Sequence, residues 1–175
     1  MKELPTRKHP RLKGHDYSDS GAYFITLCVK DSHELLGQII VGRDVHIAPQ
    51  VQLSEYGMIA AKHIEKIKTQ FQDVLIDKHV IMPNHVHMIV TIKRVDKLSA
   101  NAEGSGAMWT SRPTSATIPA LIRSFKTVIT KEIGFSLWQT SYHDHIIRNE
   151  AEYHRIWKYI DQNPANWEHD RYHAK

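Results

Sequence analysis

Two histidines, His85 and His87, stand two residues apart at the start of an apolar run, directly after a Pro-Asn turn. Side chains alternate across a β-strand, so this spacing places both imidazoles on one face and Val86 on the other. Two neighbouring imidazoles form half of a divalent-metal site. The alternative is a solvated strand face, because the chain contains 13 histidines and some pairs arise at this spacing by chance.

A second pair of candidate residues, Tyr159 and Asn163, lies near the C-terminal end of the sequence. Residues four apart on a helix stack one above the other, so a phenol and an amide point the same way. Tyrosine can be a covalent nucleophile, and an amide oxygen can complete a metal site built from two imidazoles. Alone, a mid-helix tyrosine is usually a packed amphipathic residue with a wet hydroxyl. The prediction therefore depends on this pair meeting His85 and His87.

The elements that must position these residues follow from apolar periodicity and from cap signals. Strands are predicted at 22–29, 74–82 and 85–93, with a hairpin at 38–41 and 45–47 and a last strand within 137–147. Helices are predicted at 53–71, at 118–133 and at 150–162, with Ser54 and Asn149 as N-caps and Gly134 ending the second. This order predicts an α+β fold: a mostly antiparallel sheet, a βαββαβ-like core and helices packed on one face.

The chain is expected to form one domain. Residues 1–20 are predicted to be a basic N-terminal arm, residues 21–168 the domain itself and residues 169–175 a tail. Within the domain, residues 95–117 are rich in Ser, Ala, Asn, Gly and Thr, which predicts a flexible loop.

The amino-acid composition limits the classes of protein to which this chain can belong. A hydrophobic content of 41% and a charged content of 24% are typical of a soluble globular protein. The net charge of +4 permits a polyanionic partner without requiring one. Cys28 is the only cysteine, which excludes an intramolecular disulfide and a Cys-x-x-Cys zinc site and favours a reducing, cytoplasmic setting. No stretch approaches the 18 apolar residues of a membrane span, so no membrane partner is expected.

Three blocks of sequence occur in a recognisable order. They are Leu-Lys-Gly-His-Asp-Tyr with Gly-Ala-Tyr-Phe-Ile-Thr at 12–26, Pro-Asn-His-Val-His at 83–87, and Tyr-His-Asp-His-Ile-Ile-Arg-Asn followed by Tyr153, Tyr159, Asn163-Pro164 and Trp167. Together they resemble the REP-associated tyrosine transposases, within the HUH (His, hydrophobic, His) single-strand DNA nickases and transposases. The similarity covers residues 10–168, and the three ordered blocks are far more specific than the histidine pair alone.

The resemblance implies a ferredoxin-like or RRM-like HUH fold with the histidines on a central strand. By motif position, His85 and His87 match the metal-binding pair, Tyr159 the nucleophilic tyrosine and Asn163 the polar third ligand, which is often Gln in more distant relatives. The implied activity is DNA transposition: cleavage and rejoining of single-stranded or hairpin DNA through a 5′-phosphotyrosine, with Mg²⁺ or Mn²⁺ as cofactor. Relatives act as a monomer or as a homodimer that exchanges a helix, and both remain open.

Binding of DNA would need basic groups for the phosphates. Candidate contacts are Arg123, Lys126 and Arg148 in the domain and Arg7, Arg11 and Lys13 in the arm, and the alternative for each is a solvated charge.

Two other functions remain open at this point. One is a non-catalytic nucleic-acid-binding module on an RRM-like sheet. The other is a metal-dependent phosphodiesterase that uses an activated water.

Overall fold

The computed structural model describes residues 20–41, 48–71, 73–93 and 117–173. Its elements are the strands β1 (Gly21–Cys28), β2 (Gly37–Ile40), β3 (Gln50–Leu53), β4 (Val74–Met82), β5 (His85–Ile92) and β6 (His143–Ile147), and the helices α1 (Glu55–Gln70), α2 (Ile118–Ile133) and α3 (Glu150–Gln162). Residues 1–19 of the predicted arm lie outside the described residues, as does the predicted loop up to residue 116.

The main sheet has four antiparallel strands in the order β4-β5-β1-β6. β5 and β1 are the two central strands, and in their register Thr26 lies opposite His87 and Cys28 opposite His85. The predicted α+β class with a mostly antiparallel sheet is confirmed. β2 and β3 form a separate two-stranded sheet.

The two faces of the main sheet are covered by different helices. On the face that we call the core face, α1 and α2 pack against alternate residues of β5, such as Val86 and Met88. On the opposite face, the site face, α3 contributes Ile156 and Ile160 to a smaller cluster around Ile89. The expectation that all helices pack on one face is therefore wrong for α3. The apolar stripe of α3 packs against a second apolar patch, on the site face of the sheet. The hydrophobic pattern of each strand taken alone does not show that such a patch exists.

Three elements, β3, α1 and β6, begin two residues or more from the position that the sequence predicted, and the boundaries of the other elements agree to within about one residue. The strand that pairs with β2 is Gln50–Leu53, and the predicted partner at 45–47 lies outside the described residues. Leu53 ends that strand, so α1 begins only after Ser54, whose side chain accepts a hydrogen bond from the Gly57 N–H as predicted for an N-cap.

The last strand is shorter than its apolar pattern predicted, because it begins only at His143. The carbonyl groups of Gln139 and Ser141, which precede it, accept hydrogen bonds from the Lys126 ammonium at 2.8 Å instead of joining a ladder.

A series of backbone hydrogen bonds fixes the turn that precedes His85. The Val29 N–H donates to the Asn84 carbonyl at 2.8 Å, and the Leu36 N–H donates to the Pro83 carbonyl at 2.8 Å. The Leu36 carbonyl in turn accepts from the Ser54 N–H at 2.9 Å. The residue that caps α1 is thereby linked, through Leu36, to the Pro83–Asn84 turn that positions His85.

Substitution of Gly57 tests this arrangement. Alanine normally stabilises a helix interior by about 1 kcal/mol relative to glycine, but a Cβ at residue 57 would collide with the Leu36 carbonyl oxygen. We expect Gly57→Ala to lower the free energy of unfolding by about 1–3 kcal/mol, as overpacking does. Urea denaturation measures it. Gly21→Ala is the control, since a Cβ there has its nearest neighbour 4.0 Å away; equal stability of the two variants would contradict the expectation.

Candidate metal and nucleophile site

The two histidines of β5 lie side by side on the site face, fully buried, with ring centroids 4.4 Å apart. Each ring is oriented through its Nδ1 atom. The Nδ1–H of His85 donates to Asn84 Oδ1 at 2.8 Å, and the Nδ1 of His87 is hydrogen-bonded to Thr26 Oγ1 at 2.8 Å. Asn84 is held in turn, because its Nδ2 donates to the Tyr172 carbonyl at 2.7 Å. These contacts leave the Nε2 atoms for the site.

α3 brings Tyr159 and Asn163 to the same place. The Tyr159 hydroxyl lies 3.3 Å from His87 Nε2, and the Tyr159 ring meets Phe24 edge-on at 6.0 Å. Asn163 is buried, 1% exposed, whereas Tyr159 is 39% exposed. The structure thus brings together all four residues that the sequence predicted for the site.

A fifth residue, Asp170, belongs to the site although the sequence placed it in a tail. Its Oδ2 accepts from Asn163 Nδ2 at 2.6 Å and lies 3.3 Å from the Tyr159 hydroxyl. Donor atoms of Asp170, His85 and His87 lie within 4.8 Å of one another. The Tyr172 ring packs on His85, with centroids 4.7 Å apart. Residues 170 and 172 are therefore part of the site. Their short polar sequence has no periodicity that would have predicted this.

Burial sets the protonation of the site. It lowers the pKa of His85 to about 4 and, with the neighbouring His85, holds the pKa of His87 well below its usual value. Both imidazoles are neutral at neutral pH, which is the form that binds a metal. Burial, and then the Asp170 carboxylate, raise the pKa of Tyr159 to about 12, so its hydroxyl keeps its proton.

The donor atoms fit a divalent cation. Among the described residues, His85 Nε2 and Asn163 Oδ1 are buried and have no hydrogen-bond partner. Leaving such atoms unpaired costs about 1–3 kcal/mol each, and a bound cation would satisfy them. Two imidazole nitrogens and an amide oxygen suit Mn²⁺ or Mg²⁺ with waters retained.

The predicted DNA contacts are scattered. Arg123 is exposed on α2, which packs on the core face, away from the histidines. The Lys126 ammonium donates to the backbone carbonyls of Gln139 and Ser141, and burial lowers its pKa to about 8; its contact with DNA stays a prediction. Arg148 is exposed just before α3, where its N–H donates to Glu152 Oε2 at 2.9 Å. Arg7, Arg11 and Lys13 lie outside the described residues.

Comparison with known proteins shows the family to which the chain belongs. No protein-family profile matches it. A protein of Haemophilus influenzae (strain Rd), described as uncharacterized, is 38% identical over 173 residues, which cover 94% of this chain and 92% of that protein. The chain belongs to the same family as this protein.

A solved structure supplies the fold. It is a REP-associated tyrosine transposase bound to a REP hairpin, matched with a TM-score of 0.58 and 20% identity over 95% of this chain and 74% of that one. The resemblance to REP-associated tyrosine transposases is thereby confirmed at the level of the fold. Separately, none of the helices in the described ranges is long and apolar enough to cross a membrane.

Replacement of Thr26 tests how the site is oriented. Thr26→Val keeps the shape of the side chain but removes the hydroxyl that holds His87 Nδ1, so the ring can turn away from the site. We expect the Kd for Mn²⁺, measured by calorimetry, to rise on the order of 10- to 100-fold. Thr91→Val makes the same change on the same sheet at a hydroxyl bonded to Asp77 rather than to a histidine. Equal Mn²⁺ affinity in the two variants would contradict the orienting role.

Proposed function

We propose that this protein is a metal-dependent single-strand DNA transposase that cleaves and rejoins DNA through a 5′-phosphotyrosine on Tyr159. One observation carries the proposal: the Tyr159 hydroxyl lies 3.3 Å from His87 Nε2, beside buried donor atoms that lack a partner. A nucleophile next to a cation site is the arrangement that phosphoryl transfer needs.

The substrate class follows from the same site and from the fold. The REP hairpin on the solved transposase supports hairpin-bearing single-stranded DNA as the substrate. A pocket of about 290 Å³ opens beside Tyr159, and Arg171 lines it. A guanidinium there is suited to a DNA phosphate.

Each residue has a defined part in the reaction. The Tyr159 oxygen attacks the scissile phosphorus and loses its proton, the bond from phosphorus to the 3′ oxygen breaks, and that oxygen leaves as a 3′-hydroxyl after taking up a proton. Rejoining reverses these steps, because a 3′-hydroxyl attacks the phosphotyrosine and releases Tyr159. A divalent cation on His85, His87 and Asn163 would supply stabilisation of the negative charge that develops on the phosphate oxygens. Burial raises the pKa of Tyr159 to about 12, so a nearby positive charge would also favour the loss of its proton.

α3 follows β6 through the two residues Arg148 and Asn149 and packs on the sheet of its own chain. This packing supports, within the proposal, a monomer that cleaves DNA without exchanging a helix.

The adduct assay tests the proposal. The full chain is incubated with Mn²⁺ and a labelled hairpin-bearing single strand, and denaturing electrophoresis detects the covalent product. We expect an adduct that EDTA abolishes and that falls by about 10³-fold or more in Tyr159→Phe, because removal of a nucleophile is that costly.

Tyr153→Phe is the matched control, since it removes a hydroxyl from the same helix outside the site. An adduct that persists in Tyr159→Phe would refute the nucleophile assignment. Cleavage without any adduct would indicate a phosphodiesterase that uses activated water, and EDTA-insensitive binding without cleavage would indicate a binding module.

A further inference from the structure

The C-terminal turn carries a carboxylate into the site. After α3, the short helical turn Pro164–His169 reverses the chain, and the buried Trp167 anchors it. Asp170 follows directly. Its Oδ1 accepts from the Tyr172 N–H at 2.7 Å, which fixes the carboxylate plane, while Oδ2 is directed to Asn163 and Tyr159.

The surroundings of Asp170 are those of a ligand rather than of an ion pair. In the described part of the chain, its carboxylate is held by N–H and O–H donors, and no lysine or arginine forms a salt bridge with it. Within the described ranges, His85 Nε2 and Asn163 Oδ1, on the side chains next to this carboxylate, are buried without a hydrogen-bond partner, and a cation bound among them would satisfy both. The same spot concentrates lone pairs, and Arg171, which lines the neighbouring pocket, makes no salt bridge with the carboxylate among the residues that the structure describes.

The chemistry of the donors also favours an anionic ligand. Two neutral imidazoles and an amide bring no charge to a divalent cation, whereas Mg²⁺ and Mn²⁺ are bound preferentially through carboxylate oxygen. A carboxylate whose oxygen lies within 4.8 Å of both histidine donor atoms meets this need.

We propose that Asp170 is the anionic ligand of the divalent cation and completes a centre formed by His85, His87 and Asn163. This inference deepens the proposed function and rests on it for the presence of the cation. The segment after α3 would then supply a ligand of the metal centre, and binding of the metal would hold this segment against β5.

Metal affinity tests the proposal without any DNA. Asp170→Asn keeps the shape of the side chain and removes its charge, and Asp170→Ala removes the side chain. We expect the Kd for Mn²⁺, from calorimetry and from the electron paramagnetic resonance signal of free Mn²⁺, to rise on the order of 10- to 100-fold in both. Glu168→Gln is the matched control, because it makes the same charge change at an exposed position two residues away.

Hydrogen exchange gives an independent readout on the unmodified chain. If Asp170 binds the cation, Mn²⁺ should slow amide exchange in residues 170–173 as well as in β5. Protection confined to β5 would overturn the proposal. This measurement also decides the matter if neither Asp170 variant folds.

The remaining outcomes separate this inference from the proposed function. Wild-type Mn²⁺ affinity in Asp170→Asn, or an equal loss in Glu168→Gln, would refute Asp170 as a ligand while leaving the transposase proposal in place. Affinity that depends on Asp170 but not on Glu168, in a chain that never forms the covalent DNA adduct, would support the ligand and refute the transposase.

Discussion

The alternation of side chains along β5 is the constraint on which the rest of the structure depends. Val86 and Met88 enter the core between the sheet and α1 and α2, so His85 and His87 must emerge on the opposite face. A slip of one residue would turn the polar imidazoles into the apolar core and remove Val86 and Met88 from it, so the hydrophobic energy of the core fixes the register. The geometry of the histidine pair is thus set by residues that never touch the site.

The second requirement is a cover for the site face. α3 supplies it with Ile156 and Ile160 against Ile89, and the Lys78–Asp161 ion pair ties the same helix to β4 at 2.5 Å. An exposed ion pair contributes little, so the apolar contacts hold α3 in place. Because the apolar stripe that packs and Tyr159 are on the same helix, the packing of α3 also sets the distance from Tyr159 to His87.

The site is built at a cost to stability. Burial disfavours charge on the imidazoles, and the unpaired His85 Nε2 and Asn163 Oδ1 forgo the hydrogen bonds that they would make in water. The large core on the other face of the sheet offsets this cost. Such a concentration of unpaired acceptors is unfavourable in a protein that only needs to fold, and the proposed cation would satisfy it.

The sequence by itself determined the class of the fold, the strand that carries His85 and His87, and the helix that carries Tyr159 and Asn163. These follow from local periodicity, caps and turn residues, which act within a few positions along the chain. Only the tertiary structure decided that α3 covers the face opposite α1 and α2, that Lys126 serves backbone carbonyls, and that Asp170 joins the site. Each of these depends on contacts between residues distant in sequence or on a chain reversal. The burial of these side chains and their contacts with distant residues depend on the packing of the complete fold, and no local sequence pattern encodes them.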